Sequence, residues 1–118
     1  MKNLAIITWE WAVRSFGSEH VTNPRIRALR LAEETVELAQ SLDVTAEQLH
    51  KLIDVVYSRP VGEAYKEVGG VMVTLSILCT TLGLNPEKMF EIELRRVLSK
   101  PTDFYTERNQ EKIDLGLD

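Results

Sequence analysis

Arg30 to Leu38 reads RLAEETVEL. At about 100° per residue, a helix over this stretch puts Arg30, Glu33, Glu34, Glu37 and Ser41 on one arc. Leu31, Ala32, Val36, Leu38, Ala39 and Leu42 fill the other, so the carboxylates are gathered. Downstream, Glu63 and Glu67 stand one turn apart on a second helical stretch, Glu63 to Leu84, whose other faces are apolar. Two such helices packed together would bring four or five carboxylates to one place. That is what Mg²⁺ needs, because this hard cation takes oxygen ligands in near-octahedral geometry. Like charges three or four residues apart on a helix repel one another when exposed. Two readings offset that cost: a solvated charged face, with Arg30 one turn before Glu34 and Lys66 close to Glu63, or metal binding. Spacing alone leaves both open.

These residues need helices to hold them. A first helix spans 4 to 16, where Ile6, Ile7, Trp9, Trp11, Val13 and Phe16 are too many for one narrow stripe, and Gly17 ends it. Trp9, Trp11 and Phe16 are either packing anchors or a surface on which a planar base stacks. His20, in the polar loop SEHVTN, reads as solvated and lacks partner spacing for a metal. Asn23 caps a second helix with Pro24 in its first turn, and that helix runs to about Leu42. After a break at Asp43 to Thr45, Thr45 and Gln48 make a capping box for a third helix, about 46 to 57, with Leu49, Leu52, Ile53 and Val56 at helical spacing.

Arg59, Pro60 and Gly62 then form a tight connection. The fourth helix, Glu63 to Leu82, is closed by Gly83. Ala64, Val68, Val71, Met72, Leu75, Leu78, Cys79 and Leu82 fill one broad face, while Val73 and Ile77 lie on another. A helix apolar on two sides is expected to be buried on both, against a core and against a second subunit. Gly69 and Gly70 in mid-helix point to close packing or the close approach of a ligand. Asn85 and Pro86 start a fifth helix that reaches about Leu98. Pro101 breaks it, and Thr102 or Asp103 caps a last amphipathic segment containing Phe104, Tyr105 and Ile113. No run of strand period, repeat or low-complexity segment is present. The chain is therefore expected to be all-α, a single domain over 1–118 built as an antiparallel helical bundle. Its core covers about 4–100, with a helical tail at about 101–118.

The 118 residues suffice to bury a core without staples, and 44% hydrophobic with 27% charged residues is ordinary for a soluble chain. Cys79 is the single cysteine, so no internal disulfide forms and a reducing compartment is expected; it reads as a small buried apolar residue. A net charge of -4 argues against a nucleic-acid partner, though not against a nucleotide bound through metal. The opening MKNLAIITWEWAVRSF is interrupted by Glu10 and Arg14 and reads as a helix, not a signal peptide. Val71 to Cys79, the longest apolar run, contains Thr74 and Ser76 and falls far short of the roughly 20 residues that span a bilayer. No membrane partner and a cytoplasmic location are expected.

The segments RLAEETVELAQ and EAYKEVGGVMVTLSILCTTLGLNPE resemble the two helical signatures of the MazG-like all-α nucleoside triphosphate pyrophosphohydrolases, over roughly residues 9 to 100. The family pattern is Glu-x-x-Glu on one helix and Glu-x-x-Asp on a later one, then an apolar helix and a Leu-Gly-Leu/Ile-(Asp/Asn)-Pro turn. Glu34 and Glu37 match the first pair, Glu67 opens the second, and Leu82 to Pro86 match the turn. Gly70 departs from the pattern, standing where the family has its metal-binding aspartate. Either Glu63, Glu33 or water supplies the missing oxygen, or metal binding is impaired. RPVGE at Arg59 to Glu63, together with EVGGVMVTL, resembles one branch of the family.

The resemblance implies hydrolysis of a nucleoside or deoxynucleoside triphosphate to the monophosphate and pyrophosphate, with guanine nucleotides such as dGTP as the preferred substrate. It implies two or more Mg²⁺ ions per site, replaceable by Mn²⁺, held by Glu34, Glu37 and Glu67 with Glu63 as a further ligand. Glu33 then serves beside the metal or orients the attacking water, which places Glu33, Glu34 and Glu37 in the catalytic group. Arg30, Arg59 and Lys100 are the candidate cations for the substrate phosphates, and Trp9, Trp11 and Phe16 for the base. The family's homodimers or homotetramers, formed through the central helices, agree with Val73 and Ile77. The alternative, favoured by Gly70, is a helical oligomerisation or regulatory module whose degenerate site binds nucleotide or metal without turnover.

Overall fold

A computed structural model describes residues 3–118. The described residues form seven helices and no strand: α1 (Leu4–Phe16), α2 (Ser18–Val21), α3 (Pro24–Ser41), α4 (Ala46–Tyr57), α5 (Ala64–Leu82), α6 (Pro86–Leu98) and α7 (Thr102–Asp114). The all-α expectation holds.

The helix ends follow from local chemistry. Asn23 Oδ1 accepts from the backbone N–H groups of Arg25 and Ile26 at 3.1 and 3.3 Å, satisfying donors that the first turn of α3 leaves free. Thr45 and Gln48 form the reciprocal capping box of α4. Gly83 closes α5 in the left-handed region at φ 69°, a conformation that a Cβ disfavours. Asn85 Oδ1 accepts from Lys88 N at 3.1 Å to open α6.

Two boundaries differ from expectation. SEHVTN is not a plain loop, because Ser18–Val21 closes a helical turn on Gly17, whose carbonyl accepts from Val21 N at 3.2 Å. Neither Thr102 nor Asp103 caps α7. Both already lie inside its first turn, and the Pro101 carbonyl begins the ladder by accepting from Phe104 N at 3.1 Å.

The chain groups into two compact units, one running to Leu38 and resuming at Glu93–Asp118, the other spanning Ala39–Ile92. In the first unit α1 packs on α2 and on α7. Val21, Ile26, Leu94 and Val97 are its buried apolar residues, with Ser15 and Asn109 buried beside them. Thr106 Oγ1 donates to the Ser15 carbonyl at 2.7 Å and so pins α7 to α1.

The second unit carries α4 and α5. Cys79 is buried, as a small apolar residue should be. The expected burial of α5 on two sides does not occur within this chain: Val68, Met72, Val73 and Ile77 are all more than half exposed. A Cβ at Gly69 or Gly70 would meet nothing within 4 Å, so neither glycine answers to close packing inside the chain. Among the described residues, no single helix is long and apolar enough to cross a membrane.

Candidate functional site

The acidic arc of α3 is present, and the fold divides it. Glu34 lines a cavity of about 300 Å³ in the first unit. Glu33 and Glu37 line a second, more apolar hollow of about 290 Å³ with Leu29, Ala32, Val36 and Leu117. Arg30 borders both. Glu33 is not free, because Lys112 Nζ of α7 lies 3.0 Å from its carboxylate. The Glu34 carboxyl is pushed above its ordinary value, first by burial and then by the negative charges of Glu37 and Glu33; Lys112 opposes the rise and Glu93 adds to it. Glu93 itself is engaged by Arg96 Nε and Nη2, at 3.0 and 2.5 Å, in a two-pronged pair within α6.

Three helices build the larger cavity. Its wall takes Trp11 and Phe16 from α1, Arg27, Arg30, Leu31 and Glu34 from α3, and Tyr105, Arg108, Asn109 and Lys112 from α7. The aromatic side is tightly fixed. Trp11 meets Phe16 and Tyr105 edge to face, with centroids 5.4 and 5.1 Å apart, an arrangement the ring quadrupoles favour. The Arg27 guanidinium lies 5.0 Å from the Phe16 centroid and meets His20 Nδ1 at 3.1 Å. His20 is therefore half-buried and engaged, correcting its reading as a solvated loop residue.

Positive charge outweighs negative in this wall, four cations to one carboxylate. The crowding is felt: burial and then Arg30 lower the pKa of Arg27, and burial, then Arg27 and Arg30, lower that of His20, against a weaker opposing pull from Asp118. Arg30 donates to Asn109 Oδ1 at 3.2 Å and to the Leu117 carbonyl, so neutral acceptors hold it and, among the described residues, it forms no salt bridge with a carboxylate. The chemistry on offer is recognition of an anion with a flat apolar part.

The sequence candidates fall into three groups. Trp11, Phe16, Arg30 and Glu34 come together in the larger cavity, with Glu33 and Glu37 on the adjoining hollow. Trp9 is 51% exposed and Lys100 lies 5.6 Å from the Phe104 centroid; neither lines either space. Arg59, Glu63 and Glu67 belong to the second unit. There Arg59 is exposed before α5, and Glu63 precedes its first turn and accepts a hydrogen bond from the Tyr65 hydroxyl, which raises the tyrosine pKa. The Glu67 carboxylate lies so close over Gly62 that a Cβ there would overlap it.

Arg27, Tyr105, Arg108, Asn109 and Lys112 were not among the sequence candidates. A signal existed: Tyr105, Arg108, Asn109 and Lys112 follow the i, i+3, i+4, i+7 spacing of one helix face. Among the described residues no three His, Cys, Asp or Glu groups gather where they could hold a metal ion. What α3 offers is two carboxylates, Glu34 and Glu37, one turn apart and without a salt bridge among the described residues. That is a sparse donor set, compatible with Mg²⁺ only when substrate phosphates and water supply the other oxygens. Compared with family models, curated proteins and solved structures, the chain has no match.

Proposed function

We propose that the protein is a metal-dependent nucleotide pyrophosphohydrolase, converting a nucleoside or deoxynucleoside triphosphate and water into the monophosphate and pyrophosphate, with guanine nucleotides preferred. The observation that carries this reading is the position of Glu34. It belongs to the acidic arc of α3 and also to the wall of a cavity that holds four cations and three aromatic rings. A triphosphate ester of a flat base asks for those three things together: cations, an aromatic wall and a carboxylate beside them.

In this reading Arg30, at the border of both spaces, holds a phosphate oxygen, and the aromatic wall orients the base. Glu34 and Glu37 are the ligands that α3 supplies; the sequence pattern also assigns Glu63 and Glu67 to metal and Arg59 and Lys100 to phosphate. Glu33, anchored by Lys112, holds the attacking water in position. When bound with substrate, Mg²⁺ neutralises phosphate charge and acidifies a water. Water oxygen bonds to the α-phosphorus, the bond to the bridging oxygen breaks, and pyrophosphate leaves. The active form is a homodimer or homotetramer in which a second copy covers the central helices and completes an antiparallel bundle; the exposed apolar side chains of α4 and α5 support it.

The second reading, a helical oligomerisation or regulatory module that binds without turnover, is favoured by Gly70 and by the sparse donor set. One experiment separates the two. Pyrophosphate release is measured across all canonical NTPs and dNTPs with Mg²⁺ or Mn²⁺, for wild type and Glu37→Gln, alongside the melting temperature with and without metal. Turnover lost in Glu37→Gln supports the enzyme. Metal or nucleotide stabilisation without turnover selects the module, and neither effect removes both.

A further inference from the structure

The chain turns sharply after α7. Gly116 stands in the left-handed region at φ 79°; its N–H donates to the Ile113 carbonyl and the Leu117 N–H to the Lys112 carbonyl, both at 2.9 Å. This pair of bonds is the Schellman closure of a helix, and it sets the direction of the residues that follow. They come back onto α3. The Leu117 carbonyl accepts from Arg30 Nη1, the Asp118 carbonyl accepts from Arg25 Nη1 at 3.2 Å, and Leu117 walls the hollow that holds Glu33 and Glu37. Residues 115–118 therefore lie as a strap on α3, anchored on two arginines. The anchors are light: both guanidinium contacts are open to water, Leu117 is 41% exposed and Leu115 75%. A segment with few buried apolar contacts and solvent-exposed hydrogen bonds opens at low cost. Its acceptors are neutral carbonyls, and a phosphate oxygen is the stronger acceptor for a guanidinium. An anion that reaches Arg30 thus displaces a weaker partner.

We propose that residues 115–118 are an autoinhibitory strap, which occupies Arg30 in the free protein and is displaced when the phosphate chain of a ligand takes that arginine. The part given to phosphate rests on the reading above; the strap itself rests on the turn at Gly116 and the two carbonyl anchors. Release frees Arg30 and removes the Leu117 wall from the hollow of Glu33 and Glu37. Cation and carboxylates are then opened together. Arg30 keeps its bond to Asn109, which holds the guanidinium in place while its other acceptor changes. The strap also brings negative charge to these cations: Asp118 pulls the His20 pKa upward, against burial, Arg27 and Arg30.

The test reads the strap and the anion separately, in EDTA and at constant ionic strength. Gly116→Val puts a β-branched residue at a positive φ that it rarely adopts, while a Cβ there meets nothing within 4 Å. The turn is strained without a clash. Gly116→Asn tolerates this conformation and is the control. The heteronuclear NOE of the backbone amides of residues 115–118 reports the order of the strap, and calorimetric titration with pyrophosphate reports the anion. Saturating pyrophosphate is expected to lower the NOE of the wild-type strap. Gly116→Val is expected to lower it without ligand and to bind pyrophosphate at least threefold tighter, and Gly116→Asn to match wild type. A wild-type strap that stays ordered at saturation overturns the proposal, as does unaltered affinity in a Gly116→Val whose strap has loosened. Absence of pyrophosphate binding in all three proteins overturns it too. Where valine leaves the strap ordered, the response of wild type decides alone. Coupling of strap and pyrophosphate with no turnover in the metal panel keeps the strap and removes the pyrophosphohydrolase. Turnover with a strap that pyrophosphate does not move does the reverse.

Discussion

Lys112 on α7 reaches Glu33 on α3 at 3.0 Å, with side chains only 24% and 35% exposed. The pair neutralises one of three adjacent carboxylates and holds the C-terminal helix against the acidic one. It also moderates Glu34, whose raised carboxyl pKa Lys112 alone opposes. Lys112→Met keeps much of the aliphatic stem and removes the charge. Expected are a Glu34 carboxyl displaced still further upward, read by NMR titration, and a loss of about 1 kcal/mol in denaturant unfolding, the upper end for a pair that water still screens. An unmoved Glu34 titration would show that Lys112 does not act on it.

Glu34 makes stability depend on pH in a direction opposite to that of a salt-bridged carboxylate. Burial first, then Glu37 and Glu33, raise its folded pKa above the ordinary glutamate value. The folded chain therefore keeps a proton that the unfolded chain releases. This contribution is present below the unfolded value and is lost as pH rises through the folded one. Glu34→Gln is neutral throughout, so melting temperature should fall less between pH 4 and 7 than in wild type. At neutral pH the variant should be more stable by a few tenths of a kcal/mol, the figure being small because Glu34 is largely solvated. In the pyrophosphohydrolase reading the same variant loses turnover, so stability and activity part company. Parallel dependence of melting temperature on pH for the two proteins would show that Glu34 does not carry a raised pKa in the folded chain.

What the sequence made legible was local. Asn23 before Pro24, Thr45 with Gln48, Gly83 at φ 69° and Asn85 before Pro86 each decide a helix end through partners within a few residues. The acidic arc of α3 was legible for the same reason. The larger cavity was not, because Trp11, Arg27 and Arg108 are far apart in sequence and only tertiary packing joins them. Spacing does settle one point about the aromatics. Trp9 and Trp11 lie about 200° apart on a helix and cannot face the same ligand, and Trp11 alone of the two lines the cavity. His20 was misread because its partner, Arg27, sits beyond the break on another helix.

Thr45 tests local stability in the second unit. Its hydroxyl accepts from Gln48 N at 3.1 Å while the Gln48 side chain accepts from Thr45 N at 2.9 Å. Thr45→Ala breaks half of this reciprocal cap and should cost about 1 kcal/mol. Thr45→Ser keeps the acceptor and should restore most of it. The check is denaturant unfolding followed by hydrogen exchange at the first turn of α4. Equal midpoints for the alanine and serine variants would mean that the cap contributes nothing measurable.

Val73 and Ile77 stand one turn apart on α5 and are 62% and 64% exposed. Val68 and Met72 extend the uncovered apolar surface along the same helix, and Leu52, Ile53 and Val56 of α4 add more. Soluble monomers rarely leave so many large apolar side chains of neighbouring turns in water. A second copy of the chain is the cover proposed here, and light scattering should give at least twice 13.4 kDa for wild type. Val73→Glu with Ile77→Glu places two buried charges in that interface, and burying unpaired carboxylates is costly enough to split it. The double variant should move toward the monomer mass while α3 and its neighbours in the first unit keep their helical signature. A wild-type mass of 13.4 kDa at all accessible concentrations would reject the self-association.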